Sequence, residues 1–247
     1  GAEQQVLEHR LRDGLTGLPN RVLFLDRVRV ALSRGRREPV AALLVNLDRF
    51  RAVARSVYMP HAYRETLHRP GPRDPAAASD FAFVGTGFES RMAFFEAMDL
   101  DGVDVALAGN WQRLTEDSPL RKYVAHNLNE CCDNTEAVKL YQSARAGINL
   151  YRRETEEGGD AAGWAMGPRE VELAATGLFF LRDSRPEGDE LFPMLPTFTS
   201  PAEATELLRW WLQHDDARQG AASKAREAIA DRTFTIHAAA LLRQLEE

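Results

Sequence analysis

From residue 81 onward, short continuous apolar runs alternate with segments whose apolar positions recur at helical spacing. Continuous apolar runs are typical of strands that are buried on both faces. We predict four such strands: Phe81–Val84, Val103–Ala108, Ala146–Tyr151 and Leu178–Leu181. The predicted helices are Arg91–Met98, Thr135–Ala144, Pro168–Ala175, a helix that begins at Pro201, Ala217–Ala230 and His237–Leu245. Strands that alternate with helices indicate a parallel sheet covered on both faces.

Two of the predicted helices carry recognisable end signals. Ser200 offers a capping side chain, Pro201 suits the first helical position, and Glu203 completes a capping-box pattern. Gly177 follows the helix Pro168–Ala175, where a residue with positive φ is usual. The predicted fold class is therefore α/β, with a Rossmann-like, doubly wound parallel sheet.

The first fifty residues have a different character and predict helix, turn, helix and strand, the strand being Val40–Val45. They resemble the start of a diguanylate cyclase (GGDEF) domain, because Asp13 to Arg21 reads Asp-x-Leu-Thr-Gly-Leu-Pro-Asn-Arg. Asn46 stands where that family has its first metal-binding aspartate, and a neutral amide is a much weaker ligand for a hard divalent cation. The resemblance therefore implies a degenerate fragment, residues 6–52, without cyclase activity or a metal site.

A proline-rich stretch, Pro70–Pro75, indicates a linker between the two parts of the chain. We predict a GGDEF-like fragment over residues 1–52, which forms an N-terminal helix–strand extension. Residues 53–79 are the predicted linker with the loop that leads into the next domain. Residues 80–247 are predicted as one Rossmann-like domain. We expect Val40–Val45 to extend its sheet or to pair at its edge, because an unpaired apolar strand invites aggregation.

Composition narrows the function classes. The 247 residues carry 31 basic and 37 acidic side chains, so no basic excess favours nucleic-acid binding. Cys131 and Cys132 are sequence neighbours, and a disulfide between neighbours is strained, so we expect reduced thiols. No apolar run approaches the roughly 20 residues that a membrane span needs. We therefore expect a cytoplasmic protein without a membrane span or a nucleic-acid partner.

Gly85, Thr86 and Gly87 form a turn between the first predicted strand and the following helix. Backbone N–H groups in such a turn can approach a phosphate at the positive end of a helix. Arg91 adds a positive charge to the same region. Since a third glycine is missing, the turn can equally be a plain connection, and Arg91 can be a solvated helix residue.

Arg169 and Glu172 lie three positions apart at the start of a predicted helix and so share one face. Ligands of open parallel sheets lie near the N-termini of such helices. A carboxylate there can accept two hydrogen bonds from a ribose diol, and an arginine can bind a diphosphate. The alternative is a simple ion pair within the helix. Glu170, about 200° around the helix from Glu172, is expected to face elsewhere and to tolerate alanine.

The stretch from Val57 to Leu245 resembles the glycosyl transferases group 1 domain of spore-maturation-type (CgeB-like) proteins. The matching pieces are Tyr58–His61, Asp80–Gly85 with Arg91, Val105–Trp111, Leu140–Tyr141, Ala146–Leu150, Arg169–Gly177 and Thr233–Phe234. This resemblance implies one lobe of a two-lobed GT-B glycosyltransferase, which holds a nucleotide diphosphate sugar without a metal or cofactor.

The same resemblance implies roles for individual residues. Glu172 matches the ribose-binding glutamate of the family, and Arg169 is the candidate for stabilising the departing diphosphate. Trp164 occupies the position of a second glutamate that related enzymes carry. The remaining candidates for the nucleotide site are Gly85, Thr86, Gly87, Arg91, Asn110, Trp111 and Asn149. Trp111 can instead be a core residue, and Asn149 can instead satisfy loop backbone groups.

We therefore expect a composite chain whose larger part transfers a sugar from a nucleotide diphosphate donor to an unknown acceptor. An acceptor lobe is not recognisable in the sequence, so activity can be incomplete. One alternative is a nucleotide-binding module without catalysis. Another is a degenerate cyclase-like signalling or interaction protein.

Overall fold

The computed structural model describes residues 57–124, 131–153 and 163–246. Met59–Ala240 forms a compact unit built around one five-stranded sheet. The strands are β1 (Ser79–Val84), β2 (Val105–Ala108), β3 (Ala144–Asn149), β4 (Phe180–Asp183) and β5 (Thr197–Phe198). The helices are α1 (Glu89–Ala97), α2 (Asn134–Ser143), α3 (Pro168–Thr176), α4 (Pro186–Leu191), α5 (Pro201–Gln213), α6 (Asp215–Ala228) and α7 (Phe234–Glu246). Short 3₁₀ helices cover Pro75–Ala77 and Pro119–Tyr123.

Every strand pair in this sheet is parallel, and the spatial order is β2-β1-β3-β4-β5. Phe81 is aligned with Val105 on one side and with Ala146 on the other, so β1 lies inside the sheet. The chain moves outward from β1 to β2, and β3 then starts on the other side of β1. This reversal defines a doubly wound sheet with a crevice at the carboxyl ends of β1 and β3. The predicted fold class is confirmed.

The core explains why the strands read as continuous apolar runs. Helices cover both faces: α1 packs against α5, whereas α2 packs against α3. On the α1 side, the rings of Phe83, Phe95 and Trp111 contact one another, with centroids 5.1–6.1 Å apart. All three side chains are at most 3% exposed. Side chains that point to either face of such a strand must be apolar.

The helix ends follow local chemistry. The Asp133 carboxylate accepts hydrogen bonds from the backbone N–H groups of Thr135 and Glu136, which starts α2. Gly177 ends α3 with a φ of 77°, in the predicted place. Ser200 accepts a hydrogen bond from the N–H of Glu203, so it caps α5 as predicted.

The differences from the sequence prediction concern short or shifted elements. The helix α4 and the two-residue strand β5 were not predicted. The strand β3 begins at Ala144, two residues before the predicted start, and β4 begins at Phe180, two residues after it. The predicted strand Val40–Val45 lies outside the described residues. None of the helices in the described part of the chain has the length and apolar character that a bilayer crossing requires.

Candidate functional site

The turns after β1 and β2 touch backbone to backbone at the carboxyl edge of the sheet. The N–H of Gly85 donates to the carbonyl of Ala108 at 2.8 Å, and the N–H of Gly87 donates to the carbonyl of Asn110 at 2.9 Å. Gly109 has a φ of 108°, and a Cβ atom at this position would collide with the carbonyl of Gly85. Glycine is therefore required where these two turns meet.

Arg91 ties the turn after β1 to the end of β3. Its Nη1 donates to the carbonyl of Thr86 at 3.1 Å, and its Nη2 and Nε donate to the carbonyl of Leu150 at 2.6 and 3.1 Å. The guanidinium also lies 5.3 Å from the centroid of the Phe83 ring. The side chain is half-buried, so it is not the solvated helix residue that the sequence left open. It brings a fixed positive charge to the carboxyl edge.

Asn110 and Trp111 follow β2 but differ in their exposure. The Oδ1 of Asn110 accepts from the N–H of Gln112 at 3.1 Å, which fixes the side chain in the turn. Trp111 is fully buried, and its Nε1 donates to the carbonyl of Ala108 at 3.1 Å. Of the two roles predicted for Trp111, the structure shows the core residue. Its ring is out of reach of a nucleotide base because the core surrounds it.

Asn149 is the last residue of β3 and lies at the carboxyl edge. Its side chain is 5% exposed, and its Nδ2 has no hydrogen-bond partner among the described residues. Buried amide donors are rarely left unsatisfied in folded proteins. The Asn149 side chain is one of the groups that lower the pKa of Glu170, so it lies close to that buried carboxyl.

Arg169 and Glu172 form the predicted pair on α3. The Nη1 of Arg169 lies 3.0 Å from the Oε2 of Glu172 and also donates to the hydroxyl of Tyr141 on α2, at 2.6 Å. The Glu172 side chain is 18% exposed, and that of Arg169 is 31% exposed. Nearby, burial lowers the pKa of His68, against the opposing effect of the Glu172 carboxylate. The structure thus shows the ion pair, whereas the ribose-binding role stays a prediction.

Glu170 is not the surface residue that the sequence suggested. It does face away from Glu172, but that direction leads into the interior, and the side chain is 0% exposed. The hydroxyl of Tyr151 donates to Glu170 at 2.9 Å and accepts from the N–H of Gly167 at 2.9 Å. Burial raises the pKa of Glu170 to about 7, against the lowering effects of Arg182 and of the Tyr151 hydrogen bond. The expectation that alanine is tolerated here is therefore corrected.

Sequence reasoning missed the polar network at the ends of β3 and β4. The Asp183 carboxylate accepts from the N–H of Tyr151 at 3.1 Å and forms a salt bridge with Arg153 at 2.8 Å. Arg182, 1% exposed, pairs with Asp189 at 2.8 Å. The available signal was the pair Arg182-Asp183, which directly follows the apolar residues of β4, because charges at the end of a buried strand need partners.

These elements place most of the predicted residues at one edge of the sheet. Gly85, Thr86, Gly87, Arg91, Asn110 and Asn149 surround the ends of β1, β2 and β3. Arg169 and Glu172 lie on the side of α3 that faces α2. Glu170 connects the start of α3 to the segment after β3 through Tyr151. Because the N–H groups of Gly85 and Gly87 are already bonded, the arrangement offers the backbone N–H groups at the start of α1, one fixed arginine and a carboxylate near a helix N-terminus.

Comparison with protein families agrees with this architecture. Residues 91–244 match the family described as glycosyl transferase-like. The match covers more than half of the chain, which therefore belongs to this family. Residues 10–57 match a second, shorter profile, that of the diguanylate cyclase GGDEF domain. Both predicted resemblances are confirmed. A comparison with curated protein sequences finds no significant match.

Solved structures with a similar fold include GT-B enzymes. A sucrose-phosphate synthase from Thermosynechococcus elongatus superposes with a TM-score of 0.53 at 14% identity, over 78% of this chain and 53% of that chain. A UDP-forming trehalose-phosphate synthase from Burkholderia xenovorans gives a TM-score of 0.45 at 12% identity, over 69% and 45% of the two chains. The chain thus spans about half the length of the sucrose-phosphate synthase. At this identity the likeness shows the fold, one Rossmann-like lobe.

Proposed function

We propose that residues 80–247 bind a nucleotide diphosphate sugar and take part in transfer of the sugar to an acceptor. The observation that carries this proposal is the position of Arg169 and Glu172 at the start of α3, in a chain of the glycosyl transferase-like family. In a doubly wound sheet, ligands lie outside the carboxyl ends of the strands, near such helix starts.

In this proposal the Glu172 carboxylate accepts hydrogen bonds from the two ribose hydroxyls. Glu172 keeps one oxygen free of the Arg169 contact, since only Oε2 takes part in that ion pair. The diphosphate would lie against the turn Gly85–Gly87, where Arg91 supplies a fixed charge and backbone N–H groups line the start of α1. These are the interactions that favour phosphate at a helix N-terminus.

The chemical step breaks the bond between the anomeric carbon and the diphosphate oxygen and forms a bond between that carbon and the acceptor nucleophile, which releases its proton. Negative charge then develops on the leaving diphosphate, and preorganised donors stabilise it. Arg169 supplies one guanidinium, whose Nη1 bonds Tyr141 and Glu172 and whose other nitrogens form no hydrogen bond with the residues that the structure describes. No metal ion or other cofactor is part of this proposal. The acceptor is unknown, and the protein is proposed to act in the cytoplasm without a nucleic-acid partner.

The first test is a thermal-shift screen of the full chain against UDP, GDP, dTDP and GTP. A ligand at 100 times its dissociation constant stabilises the folded state by about 2.7 kcal/mol, which gives a measurable shift. Calorimetry then compares the wild type with Glu172→Ala. A hydrogen bond to a charged group contributes about 1.5–3 kcal/mol, so we expect a loss of roughly ten- to a hundred-fold in affinity for the best nucleotide.

Two further variants sharpen this test. Glu172→Gln should bind with intermediate affinity, because the amide keeps one acceptor oxygen. Glu206→Ala is the matched control, since Glu206 is an exposed glutamate on α5. Equal nucleotide affinities of wild type and Glu172→Ala would mean that Arg169 and Glu172 form an ion pair without a role in binding. Nucleotide binding without transfer or hydrolysis of any donor would favour a binding module, and preference for a cyclic dinucleotide would favour a signalling protein.

A further inference from the structure

A cavity opens at the amino ends of β3 and β4, at the end of the sheet opposite the candidate donor site. Its volume is about 460 Å³, which is within the usual range for small-molecule pockets. The first residues of β3, the turn between α3 and β4, the end of α2 and one face of α6 form its walls. The charged side chains that line it, within the described part of the chain, are four arginines: Arg73, Arg145, Arg218 and Arg226.

Two of these arginines, Arg145 and Arg218, form salt bridges with carboxylates that do not line the cavity. Arg145 donates through Nη1 to Asp80 and through Nη2 to Asp215, both at 2.9 Å. Arg218 forms a salt bridge with Asp215 at 2.7 Å, also through Nη1. These contacts leave the Nε of Arg145 and the Nε and Nη2 of Arg218 without an acceptor in the described residues. The two guanidinium groups are therefore fixed in position and keep N–H donors that can bind a ligand.

The other two arginines, Arg73 and Arg226, form no salt bridge with a carboxylate in the described part of the chain. Arg73 donates through Nε to the carbonyl of Ser143 at 2.8 Å and through Nη2 to that of Ser79 at 3.5 Å. The guanidinium of Arg226, exposed on α6, forms no ion pair or hydrogen bond with the residues that the structure describes. The four guanidinium groups are paired with two carboxylates, those of Asp80 and Asp215, so the cavity keeps a net positive charge. This charge favours an anionic ligand such as a phosphate, whose oxygens accept hydrogen bonds from guanidinium groups in pairs.

The cavity is basic, whereas the domain that contains it is acidic. Residues 57–247 contain 20 basic and 31 acidic side chains, so the domain as a whole is acidic. The leader, residues 1–56, contains 11 arginines and 6 acidic residues. A basic leader does not complement an arginine-lined cavity, which argues against the leader as its occupant. The occupant should be a separate, compact polyanion.

The uncharged part of the wall indicates the rest of the ligand. Gln142, Gln219 and Ser223 bring polar side chains, while Leu178 and Phe179 add apolar surface. We propose that this arginine-lined cavity binds a small phosphate-bearing molecule, at a site separate from the carboxyl edge. The proposal is independent of the proposed function, because none of its charged residues belongs to the candidate donor site.

The experiment is calorimetric titration of the full chain with inorganic pyrophosphate at constant ionic strength. Arg226→Gln should weaken pyrophosphate binding about ten-fold, since it removes one charged hydrogen-bond donor. Lys224→Gln is the matched control, because Lys224 is an exposed cation on the same helix that does not line the cavity. Any pyrophosphate bound at the carboxyl edge should be insensitive to both variants.

Citrate at the same ionic strength distinguishes phosphate recognition from general anion attraction. We expect wild type to bind pyrophosphate at least ten-fold more tightly than citrate, because a phosphate group carries more charge and one more acceptor oxygen than a carboxylate. Equal binding of the two anions would overturn the phosphate assignment. Unchanged pyrophosphate affinity in Arg226→Gln, or an equal loss in Lys224→Gln, would overturn the site. Matching thermal unfolding of both variants and wild type shows that the fold is retained.

Discussion

Glu170→Gln provides a sharp test of the polar network at the start of α3. The pKa of Glu170 is raised to about 7 by burial, compared with about 4.3 for an unperturbed glutamate. The folded state therefore binds this proton more tightly than the unfolded state. By linkage, the resulting stabilisation is fully present below about pH 4 and is lost as the pH rises through 7. Each pKa unit corresponds to about 1.4 kcal/mol, so the whole effect is about 3–4 kcal/mol.

Glutamine copies the protonated form of Glu170 in shape and in its neutral charge. Its carbonyl oxygen can still accept the hydrogen bond of Tyr151. Between pH 6 and pH 8.5 wild type loses about 1–2 kcal/mol of stability as this buried acid ionises, whereas the variant loses nothing. We therefore expect the stability of Glu170→Gln relative to wild type to rise by about 1–2 kcal/mol over this pH range.

Urea unfolding of both proteins at the two pH values, followed by tryptophan fluorescence, measures this difference. Glu206→Gln, the same substitution on the exposed face of α5, controls for the loss of one acid. A stability difference between Glu170→Gln and wild type that stays constant from pH 6 to pH 8.5 would refute the reasoning. It would mean that the nearby Arg182 guanidinium, whose Nη1 lies 3.9 Å from Glu170, offsets the effect of burial.

Two further predictions test the turn and the leader. Gly109→Ala should lower the free energy of unfolding by about 1–3 kcal/mol, because it strains a residue with a φ of 108° and crowds the carbonyl of Gly85. Chemical denaturation measures this change, and an unchanged denaturation midpoint would contradict the prediction. The purified chain should make no cyclic dinucleotide from GTP, since Asn46 replaces a metal-binding aspartate; detection of such a product by chromatography would overturn this.

The alternation of apolar runs and amphipathic segments was enough to predict the parallel sheet. The strands β1 to β4 are buried on both faces, so their sequence pattern is strong. The strand β5 has only two residues and lies at the sheet edge, where no apolar run marks it. The helix α4 has six residues, and its buried positions are Glu187, which sequence pattern assigns to the surface, and Gly188, which has no apolar side chain to mark a buried face.

The candidate site was predictable where chemistry is local and unpredictable where it depends on tertiary packing. The turn Gly85–Gly87 and the ion pair of Arg169 with Glu172 follow from short spacings. The contacts of Arg91 do not, because its main acceptor is Leu150, a residue 59 positions away. The environment of Glu170 was missed for a similar reason. Helical geometry gives the angle between Glu170 and Glu172. Both sides of α3 are covered in the fold, so the angle alone does not show which of the two side chains is exposed to solvent.

The opposite surroundings of Glu170 and Glu172 have a practical consequence for large-scale mutagenesis. A scan that scores cell growth or product formation would find both positions intolerant, and their spacing would suggest a shared carboxylate site. A parallel scan of protein abundance should separate them, with depletion at position 170 and near-normal levels at position 172. Glutamine should be the best tolerated replacement at position 170 in the abundance scan, whereas aspartate, which shortens the reach to the Tyr151 hydroxyl, should be depleted.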